Sequence, residues 1–303
     1  MVVARAPGKL VISGAYAVLD RAPAIVTAVD RYVEADSERA AEFLTPEVGV
    51  ALAGAPAPGF DAAALRADGR KLGLGSSAAI LVASLAVREL ARRPGLDDRA
   101  LADAVLAPAL AAHRQAQGGG SGVDVAASAR GGTLIAARDG EGLSLEAAAL
   151  PPGLVLEVWA AERPASTADL IRRVFALAAR DASLFRRLLD AQADAAERAA
   201  AATRAGSAEA LLDALARQAS CLARLGEAAG APIVTPEVAR LGARAREAGA
   251  TVLPAGAGGG DVALYAGLAP PRPQLRELAE TLRHRRLDVT LGARGVHAAP
   301  EAR

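Results

Sequence analysis

Three glycine-rich segments, spread along the chain, limit its possible folds more than any other feature. They are the Gly73 loop (residues 73–78), the Gly118 loop (residues 118–122) and the Gly256 loop (residues 255–261), and an apolar stretch follows each of them. Several glycines in a row cost conformational entropy unless the backbone must adopt an unusual conformation or approach another group closely. Both halves of the chain contribute such a loop, which is what an enzyme with a ligand-binding cleft requires.

The composition indicates a globular chain and excludes several classes of protein. The 303 residues, of which 52% are hydrophobic and 23% charged, provide for two ordinary domains or one composite domain with a shared cleft. The 35 basic and 34 acidic residues give a net charge of +1, which argues against a broad nucleic-acid interface. A single cysteine and three widely separated histidines exclude a disulfide scaffold and a structural zinc site.

The chain shows no signal for a membrane or for secretion. It has no run of 18 apolar residues without a charge or a turn signal, and its first residues lack the basic-then-apolar order of a secretory signal. We therefore expect a cytoplasmic protein, a monomer or a homodimer, that binds neither a membrane nor nucleic acid. Almost all of its basic residues are arginines, and Lys9 and Lys71 are the only lysines.

The apolar patterning predicts helices and short strands in both halves of the chain, which is an α+β organisation. We place the domain boundary after residue 163, which gives domains 1–163 and 164–303. Residues 36–70 are predicted as loops or edge strands, the tail from residue 294 as frayed, and His284 as solvated on a surface helix. Predicted strands cover residues 2–4, 10–13, 24–33, 133–137, 154–160, 251–253, 262–265 and 288–291. Predicted helices cover residues 78–90, 97–117, 168–229 with a break at 205–207, 236–249 and 274–286.

The Gly73 loop predicts an anion site. It reads Gly-Leu-Gly-Ser-Ser-Ala and leads into a helix, so that glycine backbone, free N–H groups and two hydroxyls converge. A structural helix with a good cap is the alternative. The loop also matches the loose dinucleotide-binding pattern, but no buried strand is predicted before it. The P-loop sequence of nucleoside triphosphatases does not occur in the chain.

The other polar candidates each have more than one interpretation at this point. The Gly256 loop fits a ligand, a close helix contact or a flexible hairpin tip. Asp124 could be a general base or could stabilise a cation, and the alternative is that either Ser121 or Asp124 caps a helix. Lys9, which follows a Pro-Gly pair, could bind a phosphate or be an exposed turn residue.

Taken in chain order, these segments resemble the three motifs of the GHMP kinase superfamily. Residues 6–19, which begin Ala-Pro-Gly-Lys-Leu, resemble the first motif, residues 73–79 the second and residues 255–261 the third. Residues 28–33, 112–126 and 164–167 resemble phosphomevalonate kinases within the superfamily. The correspondence extends from about residue 4 to about residue 265.

The resemblance implies a fold and a reaction. The fold would be an N-terminal domain like ribosomal protein S5 domain 2 and a ferredoxin-like C-terminal domain, with ATP in the cleft between them. The reaction would be the phosphorylation of mevalonate 5-phosphate to mevalonate 5-diphosphate, with Mg²⁺ accompanying ATP as the co-substrate. The alternatives are a mevalonate kinase or another GHMP small-molecule kinase, and a catalytically weak GHMP protein that binds metabolites for regulation.

The resemblance also implies roles for individual residues. Asp124 would act on the acceptor, and Lys9 would neutralise charge on the acceptor oxygen or on the transferred phosphoryl group. The residues implied for ATP are Gly73, Leu74, Gly75, Ser76, Ser77, Ala78, Gly256, Gly258 and Gly259, with Ser77 also a ligand of Mg²⁺. The residues implied for the acceptor are Tyr16, Ser121, Gly122, Ser166 and Thr167.

Some positions depart from the superfamily motifs. Ala15 stands where the first motif usually has Glu, and Leu253 and Ala255 stand where the third usually begins Lys-x-Ser-Gly. His113 stands where mevalonate kinases have a Mg²⁺-binding Glu, and phosphomevalonate kinases share this last difference. The first two departures remove charge from around the phosphates, and they are the reason for the regulatory alternative.

Overall fold

Two antiparallel β-sheets, with helices packed against them, organise the chain. The computed structural model describes residues 1–67, 69–140, 142–161 and 167–299. The described strands are β1 (Val3–Ser13), β2 (Ala24–Ala40), β3 (Pro58–Asp61), β4 (Arg66–Ala67), β5 (Arg70–Lys71), β6 (Thr133–Asp139), β7 (Gly142–Ala148), β8 (Val155–Ala161), β9 (Thr251–Pro254), β10 (Val262–Gly267), β11 (His284–Leu287) and β12 (His297–Ala298).

Helices occupy much of the remaining chain, in agreement with the predicted α+β organisation. The described helices are α1 (Pro46–Leu52), α2 (Ser76–Arg92), α3 (Asp98–Gln117), α4 (Val123–Arg130), α5 (Thr167–Arg180), α6 (Ala182–Arg204), α7 (Ala208–Ala229), α8 (Pro236–Arg246) and α9 (Pro273–Thr281). Short 3₁₀ helices cover Ala17–Asp20 and Ala63–Leu65. In the described ranges, none of the helices has the length and apolarity that a membrane span requires.

The sheets do not divide the chain at a single residue. The first sheet has the order β12-β1-β2-β6-β7, with β3 also paired to β2, and the second has the order β11-β8-β10-β9. The strand β8 therefore joins the second sheet although it precedes residue 163, and β12 at the end of the chain returns to the first. Along the chain, the change from the first sheet to the second comes before Val155, where β8 begins. The domain boundary after residue 163 stays a prediction.

Helix α2 is the central element beneath the first glycine loop. Every residue from Ala78 to Val87 is buried, and the helix packs against β1, β2 and α3. A helix that is apolar on all sides is stable only inside a core. This burial fixes the N-terminus of α2, and with it the Gly73 loop.

Strand β1 is continuous, so the predicted break at Pro7 and Gly8 is wrong. The chain passes through this pair with a register irregularity against β2, which is how an antiparallel strand accommodates proline. A Cβ on Gly8 would lie 2.8 Å from the Leu74 carbonyl oxygen and 2.6 Å from the Leu65 side chain. The Pro-Gly pair therefore allows β1 to lie directly against the Gly73 loop.

Two helix boundaries escaped the sequence prediction although their caps are ordinary. Within residues 36–70, Thr45 caps α1 by accepting a hydrogen bond from the Val48 N–H at 3.3 Å, and Pro46 occupies the first helical position. In the predicted helical region 168–229, the Asp181 side chain accepts a hydrogen bond from the Leu184 N–H at 2.9 Å. That cap adds a helix boundary to the one predicted at 205–207.

The C-terminal predictions need correction in three places. Helix α9 ends at Thr281 rather than at residue 286, and β11 lies four residues before the predicted strand 288–291. His284 is buried at the edge of the second sheet, opposite Ala161, and is not solvated on a helix. The tail is ordered as far as the described chain extends, because Val296 is fully buried and β12 pairs with β1.

Candidate active site

The three glycine loops meet at one cavity of about 570 Å³. Residues of β1, of the start of α2, of the start of α4 and of the Gly256 loop all line it. Segments separated by more than 100 residues in the chain are thus brought to one concave surface, which is the usual form of a small-molecule site. The predicted site residues that line it are Lys9, Tyr16, Gly73, Gly75, Ser76, Ser77, Ala78, Ser121, Asp124, Thr167, Gly256 and Gly258.

Three other predicted residues lie off the described lining. The Leu74 side chain is buried in the core, and its carbonyl oxygen accepts a hydrogen bond from the Lys9 N–H at 2.8 Å. Gly122 packs against Leu110, and the Gly259 N–H donates to the Ile233 carbonyl at 3.0 Å. Ser166 lies outside the described residues. The ligand contacts of all four stay predictions.

The start of α2 has the geometry of an anion site. Gly75 is in the left-handed conformation with φ of 77° and forms the N-cap, and its carbonyl accepts the Ala79 N–H at 3.1 Å. The preceding N–H groups of the first turn, at Ser76, Ser77 and Ala78, therefore have no partner within the helix. Since they border the cavity, they are available to a ligand, and the helix dipole favours a negative one.

Lys9 lies across this loop. Its aliphatic chain passes over Gly75 so closely that a Cβ there would lie 2.8 Å from both Cγ and Cε. The main chain of Lys9 is held by the bond to Leu74, and its Cα pairs with Ala28 in β2. The buried strand and the loop thus fix the base of the lysine, while its ammonium group borders the cavity.

Asp124 occupies the first turn of α4, immediately after the Gly118 loop. Its Oδ1 accepts the Val125 N–H at 3.0 Å, and the Nε2 atom of His113 lies 3.7 Å from the same oxygen. His113 is buried on α3, so the glycines at 118–120 and 122, all with positive φ, turn the chain to bring Asp124 over it. The sequence analysis noted that His113 stands where mevalonate kinases have a Glu, but it did not predict that His113 lies beside Asp124.

Tyr16 links the first motif to the third. Its hydroxyl donates to the Ala257 carbonyl at 2.6 Å, and its ring packs with Leu170 and Val174 of α5. Burial raises the pKa of the Tyr16 hydroxyl, so the group is a hydrogen-bond donor throughout the ordinary pH range. The Tyr16 hydrogen bond therefore links the first motif to the Gly256 loop. The predicted contact between Tyr16 and the acceptor stays a prediction.

Two buried glutamines, which the sequence analysis missed, hold the chain just before Tyr16. The Gln218 side chain on α7 accepts the Gly14 N–H at 3.2 Å and donates to Ser13 at 2.8 Å. Gln192 on α6 donates to the Ala15 carbonyl at 3.2 Å. Buried amides within apolar helices are normally there to make hydrogen bonds, and this polarity was the available signal, although among the described residues the Gln192 Oε1 atom has no partner.

The cavity also contains charged side chains that were not among the predicted site residues. Arg70 and Lys71, from the two-stranded sheet β4-β5, line it together with Lys9, and Asp261 lines it together with Asp124. Burial raises the pKa of the Asp261 carboxyl, while the Val262 N–H and then Lys9 act in the opposite direction. Lys71 is one of only two lysines in the chain and stands just before the Gly73 loop, which was the available signal for its place in the site.

The donor set fits a metal ion that arrives with a nucleotide. Among the described residues there is no group of three or more His, Cys, Asp and Glu side chains that could hold a metal. Mg²⁺ prefers oxygen ligands and commonly takes only one or two from the protein, with phosphates and water supplying the rest. The Ser77 hydroxyl on the cavity wall is an oxygen donor of the kind that Mg²⁺ accepts, and its role as a Mg²⁺ ligand stays a prediction.

Comparison with known proteins identifies the class. No family model matches the chain. A phosphomevalonate kinase from Streptomyces sp. (strain CL190) is 30% identical over an alignment of 336 positions, which covers 86% of this chain and 88% of the relative. The chain therefore belongs to the GHMP kinase superfamily. Within it, the similarity is to phosphomevalonate kinase.

Solved structures agree with the expected fold. A Listeria innocua protein superposes with a TM-score of 0.80 at 22% identity, covering 98% of this chain and 99% of that one. The Streptococcus pneumoniae phosphomevalonate kinase, in complex with phosphomevalonate and AMPPNP, gives a TM-score of 0.73 at 18% identity and covers 96% and 100%. The L. major mevalonate kinase, in complex with R-mevalonate, gives a TM-score of 0.65 at 18% identity and covers 93% of this chain and 94% of that one. The predicted GHMP kinase fold is confirmed.

Proposed function

We propose that the protein is an ATP-dependent kinase that phosphorylates mevalonate 5-phosphate to mevalonate 5-diphosphate. The observation that carries the proposal is the single cavity in which the Gly73 loop, Lys9 and Asp124 meet, with further basic residues beside them. The 30%-identical phosphomevalonate kinase supports the choice of acceptor.

The Gly73 loop would hold the triphosphate of ATP. Its N–H groups at the start of α2 and the hydroxyls of Ser76 and Ser77 suit phosphate oxygens. Ser77 would provide a protein oxygen for Mg²⁺, which, when bound, neutralises charge on the phosphates during transfer. Gly256 and Gly258 would border the nucleotide from the opposite side of the cavity.

Lys9 and Asp124 would act on the acceptor side. Phosphoryl transfer needs positioning and charge neutralisation more than covalent help from the protein. Lys9 would stabilise negative charge between the acceptor oxygen and the transferred group. Because an acceptor phosphate is already ionised, Asp124 would orient it or Lys9 rather than remove a proton.

The balance of charge in the cavity favours an acceptor that carries its own phosphate. The described lining holds the cations Lys9, Arg70 and Lys71 and the carboxylates Asp124 and Asp261. Two phosphate-bearing ligands in one site need cations around them, and Lys71 provides a second lysine beside Lys9, whereas a hydroxyl acceptor would need less positive charge and a stronger base.

The test is ADP release with Mg²⁺-ATP on mevalonate 5-phosphate and on mevalonate, for the wild type, Lys9→Ala and Asp124→Asn. We expect turnover on the phosphate only, with losses on the order of 100-fold or more in both variants. Arg240→Gln, an exposed charge change on α8 away from the cavity, should leave the rate unchanged. Turnover on mevalonate instead would indicate a neighbouring kinase, and ATP binding without turnover would indicate the regulatory alternative.

Acceptor selectivity gives a second, sharper measurement. In Lys71→Met the ratio of kcat/KM on mevalonate 5-phosphate to that on mevalonate should fall roughly 10-fold, since a charge-assisted contact to the extra phosphate is lost. An unchanged ratio would mean that Lys71 does not contact the acceptor phosphate.

A further inference from the structure

Glu47 is a buried carboxylate to which the proposed transfer gives no role. It lies in the first turn of α1, and only 3% of its surface is exposed. Its Oε1 atom accepts a hydrogen bond from the Gln117 Nε2 atom at 2.7 Å, and among the described residues its Oε2 atom has no partner. Burying a carboxylate with only one oxygen hydrogen-bonded costs free energy, so the fold gains little from it.

Gln117 connects this carboxylate to the cavity. It is the last residue of α3, which packs against α1 and ends at the left-handed Gly118 with φ of 65°. Gln117 lines the cavity together with Ser121 and Asp124, which follow it on the same stretch of chain. The hydrogen bond therefore joins a buried group on α1 to a residue of the site.

The carboxylate determines which end of the Gln117 amide is free for a ligand. An ionised carboxylate accepts hydrogen bonds and does not donate them, so the NH₂ group of Gln117 must face Glu47. The amide oxygen, Oε1, lies on the other side of the same planar group. In the described part of the chain no hydrogen bond engages this oxygen. A glutamine without such a partner could turn its amide either way, whereas Gln117 offers a ligand an acceptor.

We propose that Gln117 is a specificity-determining residue of the cavity and that Glu47 is its positioning residue. Gln117 Oε1 accepts a hydrogen bond from a hydroxyl or amino group of a ligand, and phosphate oxygens, which only accept, gain nothing there. Both ligands of the proposed reaction carry such donors, on the nucleoside of ATP and at the hydroxyl of mevalonate 5-phosphate. The amide orientation stands on the structure, whereas the ligand that it meets rests on the proposed function.

Binding measurements on single variants test the proposal. Calorimetry gives Kd for mevalonate 5-phosphate and for Mg-ADP in the wild type, in Gln117→Met and in Glu47→Met. Gln117→Met should weaken one of the two ligands about 3- to 10-fold, which corresponds to one lost hydrogen bond. Glu47→Met should weaken the same ligand about 2- to 5-fold, because the amide can then turn. The affected ligand identifies the source of the donor, and unchanged binding of both ligands in either variant would overturn the proposal.

The double variant Glu47→Met/Gln117→Met separates positioning from an independent effect. If Glu47 acts through Gln117, its removal changes nothing once Gln117 is methionine, so the double variant should bind both ligands as Gln117→Met does. Losses that add up in the double variant would overturn the proposal. Glu42→Gln, a charge change at an exposed position before α1, is the control and should leave both Kd values unchanged.

Stability distinguishes this role from a structural one. The alternative is that Glu47 only stabilises the first turn of α1 through the helix dipole. Glu47→Met would then lower the denaturation midpoint and leave both Kd values unchanged, which would overturn the proposal. We expect a midpoint at or above that of the wild type, because a partly unsatisfied buried charge is removed while the exposed Gln117 amide is hydrated. Should Glu47→Met fail to fold, Glu47→Gln replaces it, since it keeps the size and still allows the amide to turn.

The two ligands separate this inference from the proposed function. A wild-type chain that binds Mg-ADP but not mevalonate 5-phosphate would contradict the proposed acceptor, and the Mg-ADP values alone would then support or overturn the role of Gln117. Where turnover is present, KM for the affected ligand should rise with little change in kcat, because Gln117 is proposed to bind the ligand away from the transferred group.

Discussion

The Gly73 loop and the Gly256 loop look alike in sequence but need their glycines for different reasons. In both, the glycines have positive φ, at 73° and 77° for Gly73 and Gly75 and at 93°, 84° and 87° for Gly256, Gly258 and Gly260. What a side chain would meet differs between them. At Gly73 and Gly75 it would meet Asp261 and Lys9, which line the cavity.

In the Gly256 loop, most of the space is taken by the chain just before α8. A Cβ on Gly258 would lie 2.2 Å from the Ile233 carbonyl oxygen, and one on Gly260 would lie 2.8 Å from the Thr235 side chain. Gly256 alone of these three faces open space, with its nearest contact at 4.0 Å. The first loop therefore keeps glycine for the charged groups of the site, and the second keeps it mainly to dock on residues 233–235.

The largest expected effect is on stability, in Gly258→Ala. The substitution combines left-handed strain of about 1–2 kcal/mol with a backbone clash of about 1–3 kcal/mol, so unfolding free energy should fall by about 2–5 kcal/mol. Gly256→Ala is the matched control, because it has the same sign of φ without the clash and should lose only about 1–2 kcal/mol. Chemical denaturation of both variants measures the difference.

Equal losses in Gly258→Ala and Gly256→Ala would contradict the docking explanation. They would mean that both positions require glycine only for its positive φ. The Gly73 and Gly256 loops would then keep their glycines for the same reason.

The next effect is on catalysis, in Gly75→Ala. The added methyl group displaces the Lys9 side chain, and a misplaced catalytic group costs roughly 100-fold in rate, so kcat should fall by that factor. Stability should fall by about 1–2 kcal/mol from the left-handed conformation. Steady-state kinetics and denaturation, measured on the same preparation, separate the two effects.

Gly95→Ala is the control for this prediction. Its φ is 85° and nothing lies within 4 Å of the added Cβ, so its stability loss should match that of Gly75→Ala while its kcat stays at the wild-type value. A kcat in Gly75→Ala that also stays at the wild-type value would show that Lys9 can shift without consequence.

The sequence predicted this site better than it predicted the strands. Motif order grouped Lys9, the Gly73 loop and Asp124 in one site, and the structure places all three on one cavity. Each carries a signal in the local sequence that can be recognised without knowledge of long-range contacts. Asp261 was seen only as the end of a motif. Its place on the cavity wall depends on which sheet the segment joins, and the pairing of β10 with β8 is a long-range contact that no local pattern encodes.

The errors in the fold have the same origin. Residues 284–286 follow a helix and were predicted as its continuation, but Arg283 adopts φ of 57° and the chain turns into β11. The edge of β8 supplies its hydrogen bonds, so tertiary pairing overrode a helical pattern. By contrast, the caps at Thr45 and Asp181 were present in the sequence, and attention to them would have found both helix boundaries.

The smallest expected effect tests whether the two loops act together, in Tyr16→Phe. The substitution removes the hydrogen bond to the Ala257 carbonyl and should cost about 1 kcal/mol of stability. Because that bond ties the first motif to the Gly256 loop, which borders the cavity, KM for ATP should also rise about 3- to 5-fold with little change in kcat. Tyr265→Phe is the control, since its hydroxyl donates to the Ala269 carbonyl at 2.8 Å away from the described cavity lining. Both variants should lose similar stability, and a KM for ATP that changes equally in both would show that the Tyr16 bond stabilises the fold without positioning the loop.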